Sequence, residues 1–124
     1  MKICVSSTSD SLDAKVDTRF GRCPFFVVVD SETMQFNAIP NDSTEAAHGA
    51  GIHAAQTVVN MGANVVITGN VGPNAFNVLS ATGIKVVTGA TGSVQEVVKK
   101  YASGQLKETT NPTVGGHFGM GKRR

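Results

Sequence analysis

Residues 51–89 read GIHAAQTVVNMGANVVITGNVGPNAFNVLSATGIKVVTG, and the reading of this stretch decides the fold. Its first part places Ile52, Ala55, Val58 and Val59 on one stripe at helical spacing. His53, Gln56, Thr57 and Asn60 fall on the opposite stripe at i, i+3, i+4 and i+7, so a helix is expected over 51–61. Gly62 fits the left-handed stop of that helix. Residues 65–68 are a short β-branched run without polar alternation, the pattern of a strand buried on both faces. Pro73 opens a second helix where its missing N–H costs nothing, Phe76 and Leu79 face inward, and Gly83 ends it. Residues 84–88 repeat the buried-strand pattern. Strand–helix–strand units require parallel pairing with right-handed crossovers.

Working outward, residues 2–6 form another short β-branched run, expected to lie parallel to the strands near 66 and 85. Polar residues 8–18 read as a loop. Phe25-Phe26-Val27-Val28-Val29-Asp30 is the strongest strand signal in the chain. Met34, Phe36 and Ala38 alternate with Gln35 and Asn37 over 34–39, which predicts a half-buried partner strand in a hairpin closed by Pro40. Ser93-Val94-Gln95-Glu96 is a capping box, and Val94, Val97, Val98 and Tyr101 follow at helical spacing up to Gly104. The order β, ββ, α, β, α, β, α predicts one α/β domain over 1–104, a mixed sheet with helices on both faces in three layers. Residues 105–124 lack periodicity and are expected to form an extended, mobile, Gly-rich basic tail.

Composition sets the outer bounds. The chain has 124 residues, 16% charged, and a formal net charge of +2. Lys122, Arg123 and Arg124 supply three of the eleven Lys and Arg, which leaves eight bases against nine acids elsewhere. The body is therefore not a basic nucleic-acid binder, and no run of 18 apolar residues marks a membrane span. No export signal follows Met1, so Cys4 and Cys23 are expected as thiols in a reducing cytoplasm. Residues 46–84 contain no Asp, Glu, Lys or Arg at all.

Two Thr-Gly-x-x-Gly loops, Thr68–Gly72 and Thr88–Gly92, fall after parallel strands and open onto helix N-termini, where N–H groups attract anions. Glycine in βα turns is common, and neither G-x-x-x-x-G-K-[ST] nor G-x-G-x-x-G is present, so specific nucleotide binding has little support. Metal-ligand candidates are Cys4, Cys23, His48, His53, His117 and Met120. Two cysteines cannot enclose a four-thiolate cluster. His48 and His53, five apart, would diverge by about 140° on a helix. Cys4 reads as a core residue. Cys23 in Arg19-Phe20-Gly21-Arg22-Cys23-Pro24 is either a packed loop cysteine or a thiol whose pKa the two arginines depress. No G-x-S-x-G and no acid–base pair stands out, so catalysis is not expected.

Taken together, Arg19-Phe20-Gly21-Arg22-Cys23-Pro24-Phe25-Phe26, Ala47-His48-Gly49-Ala50-Gly51-Ile52 and Val65-Val66-Ile67-Thr68-Gly69-Asn70-Val71-Gly72-Pro73-Asn74-Ala75 resemble the dinitrogenase iron–molybdenum cofactor biosynthesis family. These segments stand in the family's order and spacing. The resemblance implies a ribonuclease H-like fold with sheet order 3-2-1-4-5 and strand 2 antiparallel. It also implies transient, non-catalytic binding of iron–sulfur cluster precursors or an iron–molybdenum cofactor, handed between metallocofactor assembly proteins, by a monomer or weak homodimer. Cys23 and His48 become the expected metal ligands, with His117 a weaker one and Arg22 a charge partner. Gly69, Asn70 and Gly72 are the expected cofactor-binding loop. Arg19 stands where many members carry His. The alternatives are a phosphate- or nucleotide-binding module using both Thr-Gly-x-x-Gly loops, and a protein–protein adaptor presenting the uncharged helix face.

Overall fold

The structure, a computed structural model, describes residues 1–42 and 49–113. Five strands and three helices follow one another as β1 (Lys2–Ser7), β2 (Phe25–Asp30), β3 (Phe36–Pro40), α1 (Ala50–Asn60), β4 (Val65–Ile67), α2 (Pro73–Ala81), β5 (Lys85–Val87) and α3 (Val94–Ala102). They form one sheet in the order β3-β2-β1-β4-β5. β1, β4 and β5 are parallel, whereas β2 pairs antiparallel with both β1 and β3. The mixed α/β architecture and the position of the antiparallel hairpin agree with the expectation.

Alternation along the strands builds two apolar layers, because successive side chains point to opposite faces of a sheet. Cys4, Phe26, Val66 and Val86 meet Ala54, Ala55 and Val58 of α1 and Phe76 and Leu79 of α2 on one face. Ile3, Val5, Val27, Val29, Val65, Ile67 and Val87 meet Val94, Val97 and Val98 of α3 on the other. Burial on both faces is why β4 and β5 carry no polar alternation. Among the described residues, no helix is long and apolar enough to cross a membrane.

Three local differences from the sequence reading have physical causes. The third strand begins at Phe36, two residues late, because Met34 adopts a left-handed backbone (φ 64°) in the hairpin turn. Phe36 remains 40% exposed because β3 is, among the described residues, an edge strand of the sheet. Pro40 lies within β3 opposite Phe25, which an edge strand tolerates because its outer side needs no ladder N–H. The polar loop over 8–18 is partly internal. Ala14, Val16 and Asp17 are buried, and backbone bridges Ser7–Val16 and Lys15–Ser93 tie the loop to β1 and to the start of α3.

The capping box is formed as read. Ser93 Oγ accepts the Glu96 N–H at 3.2 Å, and Glu96 Oε1 accepts the Ser93 N–H at 2.8 Å. Ser93→Ala is expected to lower stability by about 1 kcal/mol. Urea unfolding should show this as a lower midpoint at unchanged slope.

Candidate functional site

Three loops meet at the carboxyl ends of β1 and β4. Thr18–Arg22 leads towards β2, Gly49–Ile52 enters α1, and Asn70–Ala75 links β4 to α2. Together they enclose an open cleft of about 450 Å³. The position obeys the general rule that open α/β sheets bind ligands beyond the carboxyl ends of their parallel strands.

Close backbone approach holds these loops together. Asn70 donates its N–H to the Thr18 carbonyl at 2.8 Å, and Phe20 donates its N–H to the Asn70 carbonyl at 3.2 Å. A Cβ on Gly69 would stand 2.6 Å from Thr18 Cα, so only glycine fits there. A Cβ on Gly21 would meet Gly51 Cα and N at 3.1 Å, so the first loop lies directly on the start of α1. Asn41 is 6% exposed and locks the base of that loop, donating from Nδ2 to the carbonyls of Cys23 at 2.8 Å and Gly21 at 3.2 Å.

The electrostatics of the cleft are one-sided. Among the described residues, Arg19 and Arg22 are its only charged lining residues. Arg19 is oriented by Asp17, itself 5% exposed. Asp17 Oδ1 accepts Arg19 Nε at 3.1 Å and the Arg19 N–H at 2.9 Å, while Oδ2 accepts Arg19 Nη2 at 3.1 Å. These hydrogen bonds, reinforced by the carboxylate's charge, raise the guanidinium pKa above its ordinary value and hold the group in one pose. Two helices also aim their first turns into the cleft. α1 starts from Gly49 in a left-handed conformation (φ 75°) and α2 from Gly72, followed by Pro73. Neither helix has a side-chain cap or an acidic residue in its first turn. Helix geometry leaves first-turn N–H groups without an intrahelical acceptor, so both ends favour an anion.

Arg22, Asn70 and Gly72 line the cleft as expected cofactor-binding positions, whereas Gly69 lies behind it, against Thr18. His48 and His117 lie outside the described residues. Cys23 is not a lining residue. Its side chain is fully buried beneath the loop, where Sγ donates to the Phe20 carbonyl at 3.3 Å. Of the two readings left open for Cys23, the packed loop cysteine is the one observed, and the arginines do not depress the thiol. Burial first, and then the Asp17 carboxylate, push its pKa up to about 12. Cys4, also fully buried, is raised for the same leading reason. Both thiols are protonated in the fold and ionise more readily once unfolded, so stability should fall as pH rises from about 9 towards 12. Each thiol contributes a slope of up to about 1.4 kcal/mol per pH unit. Cys23→Ala should remove its share of that slope in denaturant titrations at successive pH values.

The two Thr-Gly-x-x-Gly loops are not equivalent. The first supplies Asn70 and Gly72 to the cleft. The second packs inward instead: Gly92 accepts the Val16 N–H at 2.9 Å, and Thr88 Oγ1 meets Thr109 Oγ1 at 2.6 Å. Sequence reasoning missed Asp17 and Asn41 as site elements, for which the i, i+2 spacing of Asp17 and Arg19 is a legible signal, and it quoted Gly49 and Asn74 within motifs without giving either a role. Among the described residues, no group of three or more His, Cys, Asp or Glu could hold a metal ion. The cleft can therefore hold an anion by N–H groups and guanidinium, and it presents no exposed cysteine as a nucleophile or soft ligand.

Comparison with known proteins agrees with this architecture. The family model described as dinitrogenase iron–molybdenum cofactor matches residues 1–104. The apo form of the orange protein from Desulfovibrio gigas is 42% identical, with a TM-score of 0.89 over 91% of this chain and 96% of that one. A Thermotoga protein provisionally assigned to NifB is 34% identical, with a TM-score of 0.79 over 93% of this chain and 98% of that one. An uncharacterised protein of Methanocaldococcus jannaschii is 33% identical over 97 residues, 76% of this chain and 82% of its own length. The three motifs that line one cleft here thus sit within the matched span, and the chain belongs to the dinitrogenase iron–molybdenum cofactor family.

Proposed function

We propose that this chain is a non-catalytic carrier. It takes an anionic iron–sulfur cluster precursor or an iron–molybdenum-type cofactor as cargo and passes it between metallocofactor assembly proteins in the cytoplasm. The observation that carries this reading is the cleft itself: two arginines and two uncapped helix N-termini converge on one cavity, and its described lining holds no carboxylate and no exposed thiol. A preassembled cluster brings most of its own ligands, so a delivery site needs charge complementarity and at most one or two weak donors. A permanent site would need several thiolates.

In this reading Arg22, Asn70 and Gly72 contact the cargo, and Gly69 sets the loop that presents them. His48 directly precedes Gly49 in sequence, and Gly49 lines the cleft, so His48 is the imidazole we propose as a donor to the cargo. Cys23 supports the loop from beneath. The helix N-termini also suit a phosphate group, which is the specific ground for a phosphate-binding module as second reading.

Anaerobic titration with a 4Fe–4S dianion ligated by 2-mercaptoethanol, with extracted iron–molybdenum cofactor, and with orthophosphate separates the two. The carrier reading expects saturable binding of a cluster that excess orthophosphate displaces weakly, with affinity lowered in His48→Ala and retained in Cys23→Ala. Binding of orthophosphate alone, or of nothing, would overturn it.

A further inference from the structure

Residues 105–113 lie beyond the span that the family model matches, yet they hold a loop of the cleft. Thr109 donates its N–H to the Val86 carbonyl at 2.6 Å, and its hydroxyl accepts the Thr88 N–H at 3.0 Å. Covering the edge of β5 accounts for this contact. It does not account for Thr113, which bonds Val71, beyond the end of β4. Thr113 donates its N–H to the Val71 carbonyl at 2.9 Å, and its hydroxyl accepts the Val71 N–H at 2.9 Å. The same hydroxyl lies 3.3 Å from that carbonyl, so one residue takes both backbone polar groups of Val71.

The neighbouring groups are committed elsewhere. Asn70 spends its N–H on the Thr18 carbonyl and its carbonyl on the Phe20 N–H, while the Gly72 carbonyl accepts the Phe76 N–H at 3.0 Å as α2 begins. The Gly72 N–H is the exception: it has no acceptor among the described residues. A trans peptide is planar, with its C=O and N–H pointing in opposite directions. The Val71 carbonyl and the Gly72 N–H belong to one peptide, so holding the carbonyl on Thr113 turns the N–H away from Thr113. Gly72 lines the cleft, whereas Val71, 1% exposed, and Thr113 do not. Pro73 has no N–H, and Asn74 and Ala75, which also line the cleft, carry the next two in the first turn of α2.

We propose that the Gly72 N–H donates a hydrogen bond to the anionic cargo, and that Thr113 is the positioning residue that aims it. Thr113 touches no cargo itself. It fixes the plane of the Val71–Gly72 peptide from the side away from the cleft, so the donor is oriented before the anion arrives and little ordering remains to be done on binding. This rests on the carrier reading of the cleft.

The test uses the full chain and the 2-mercaptoethanol-ligated 4Fe–4S dianion under anaerobic conditions. In the wild-type chain, hydrogen exchange at the Gly72 amide should slow by about tenfold or more on loading, while the Val71 amide, already bonded, should change by less than about twofold. Thr113→Val keeps the shape and the backbone N–H but removes the hydroxyl, and it should weaken binding about fivefold. Thr113→Ser restores a hydroxyl and should bind within about twofold of wild type. Thr109→Val is the control, since it removes the same kind of bond from the same segment at Thr88, which does not line the cleft. It should lower the urea midpoint and leave affinity within about twofold. If the wild-type chain binds the cluster while Gly72 exchange is unchanged, the carrier reading stands and this proposal falls. The same follows if Thr113→Val binds as tightly as wild type, or if Thr109→Val weakens binding equally. The exchange measurement needs no variant, so it decides the matter even if Thr113→Val does not fold. If the cluster does not bind the wild-type chain, both readings fall.

Discussion

Replacing both Arg19 and Arg22 with alanine is expected to raise the Kd for an anionic cluster by roughly 30- to 100-fold at low salt. Among the described residues they are the only charged ones lining the cleft. Arg19 should contribute through geometry as well as charge. Its guanidinium is held by a fork to Asp17 at 3.1 Å on each oxygen, so less side-chain freedom is lost when an anion arrives. Arg19→Lys keeps the charge and loses the fork, and it should give an intermediate affinity. The Arg19 side chain is 62% exposed, but its removal leaves the buried Asp17 without its two guanidinium hydrogen bonds, keeping the one from the residue-19 N–H. Stability should therefore drop somewhat in Arg19→Ala and much less in Arg19→Lys, and circular dichroism melts separate that effect from binding. The affinity loss should shrink as salt rises, because exposed charges are screened. An unchanged Kd in the double variant would show that the cleft does not bind by charge.

Gly69→Ala is expected to cost about 2–4 kcal/mol of stability and to disable the cleft at the same time. The new Cβ would stand 2.6 Å from Thr18 Cα and 3.0 Å from the Thr18 carbonyl oxygen, and neither is the end of a flexible side chain. Relief requires the backbone pairing of Thr18 and Phe20 with Asn70 to open. Gly83→Ala is the matched control. Nothing lies within 4 Å of its built Cβ, so only the left-handed backbone (φ 82°) is penalised, at about 1 kcal/mol. Urea midpoints of the two variants measure the difference directly. Equal midpoints would mean that the loop contact is soft.

The parallel strands and all three helices were legible because burial leaves a plain mark on sequence. A strand covered on both faces has no polar alternation, and a helix over a core shows a stripe of period 3.6. The third strand slipped by two residues because the alternation over 34–39 looks the same whether Met34 extends or turns. Its left-handed backbone leaves no trace in composition. The site was legible only as motifs. Arg22 and Cys23 are neighbours in sequence, but in an extended segment adjacent side chains point opposite ways. Arg22 faces solvent and Cys23 faces the core, and so the arginines do not depress the thiol. The two Thr-Gly-x-x-Gly loops are alike in sequence and differ in what covers them. Contacts with residues 16 and 109, far away in the chain, decide which one stays open.

The central claim is that three motifs, separated in sequence, form one anion cleft for a cluster. Backbone amide chemical-shift mapping of the full chain during anaerobic titration with the 2-mercaptoethanol-ligated 4Fe–4S dianion tests it most directly. The account predicts saturable shifts confined to Thr18–Arg22, Gly49–Ile52 and Asn70–Ala75. Shifts centred on the His53, Gln56 and Asn60 face of α1, or no saturable shifts at all, would contradict it.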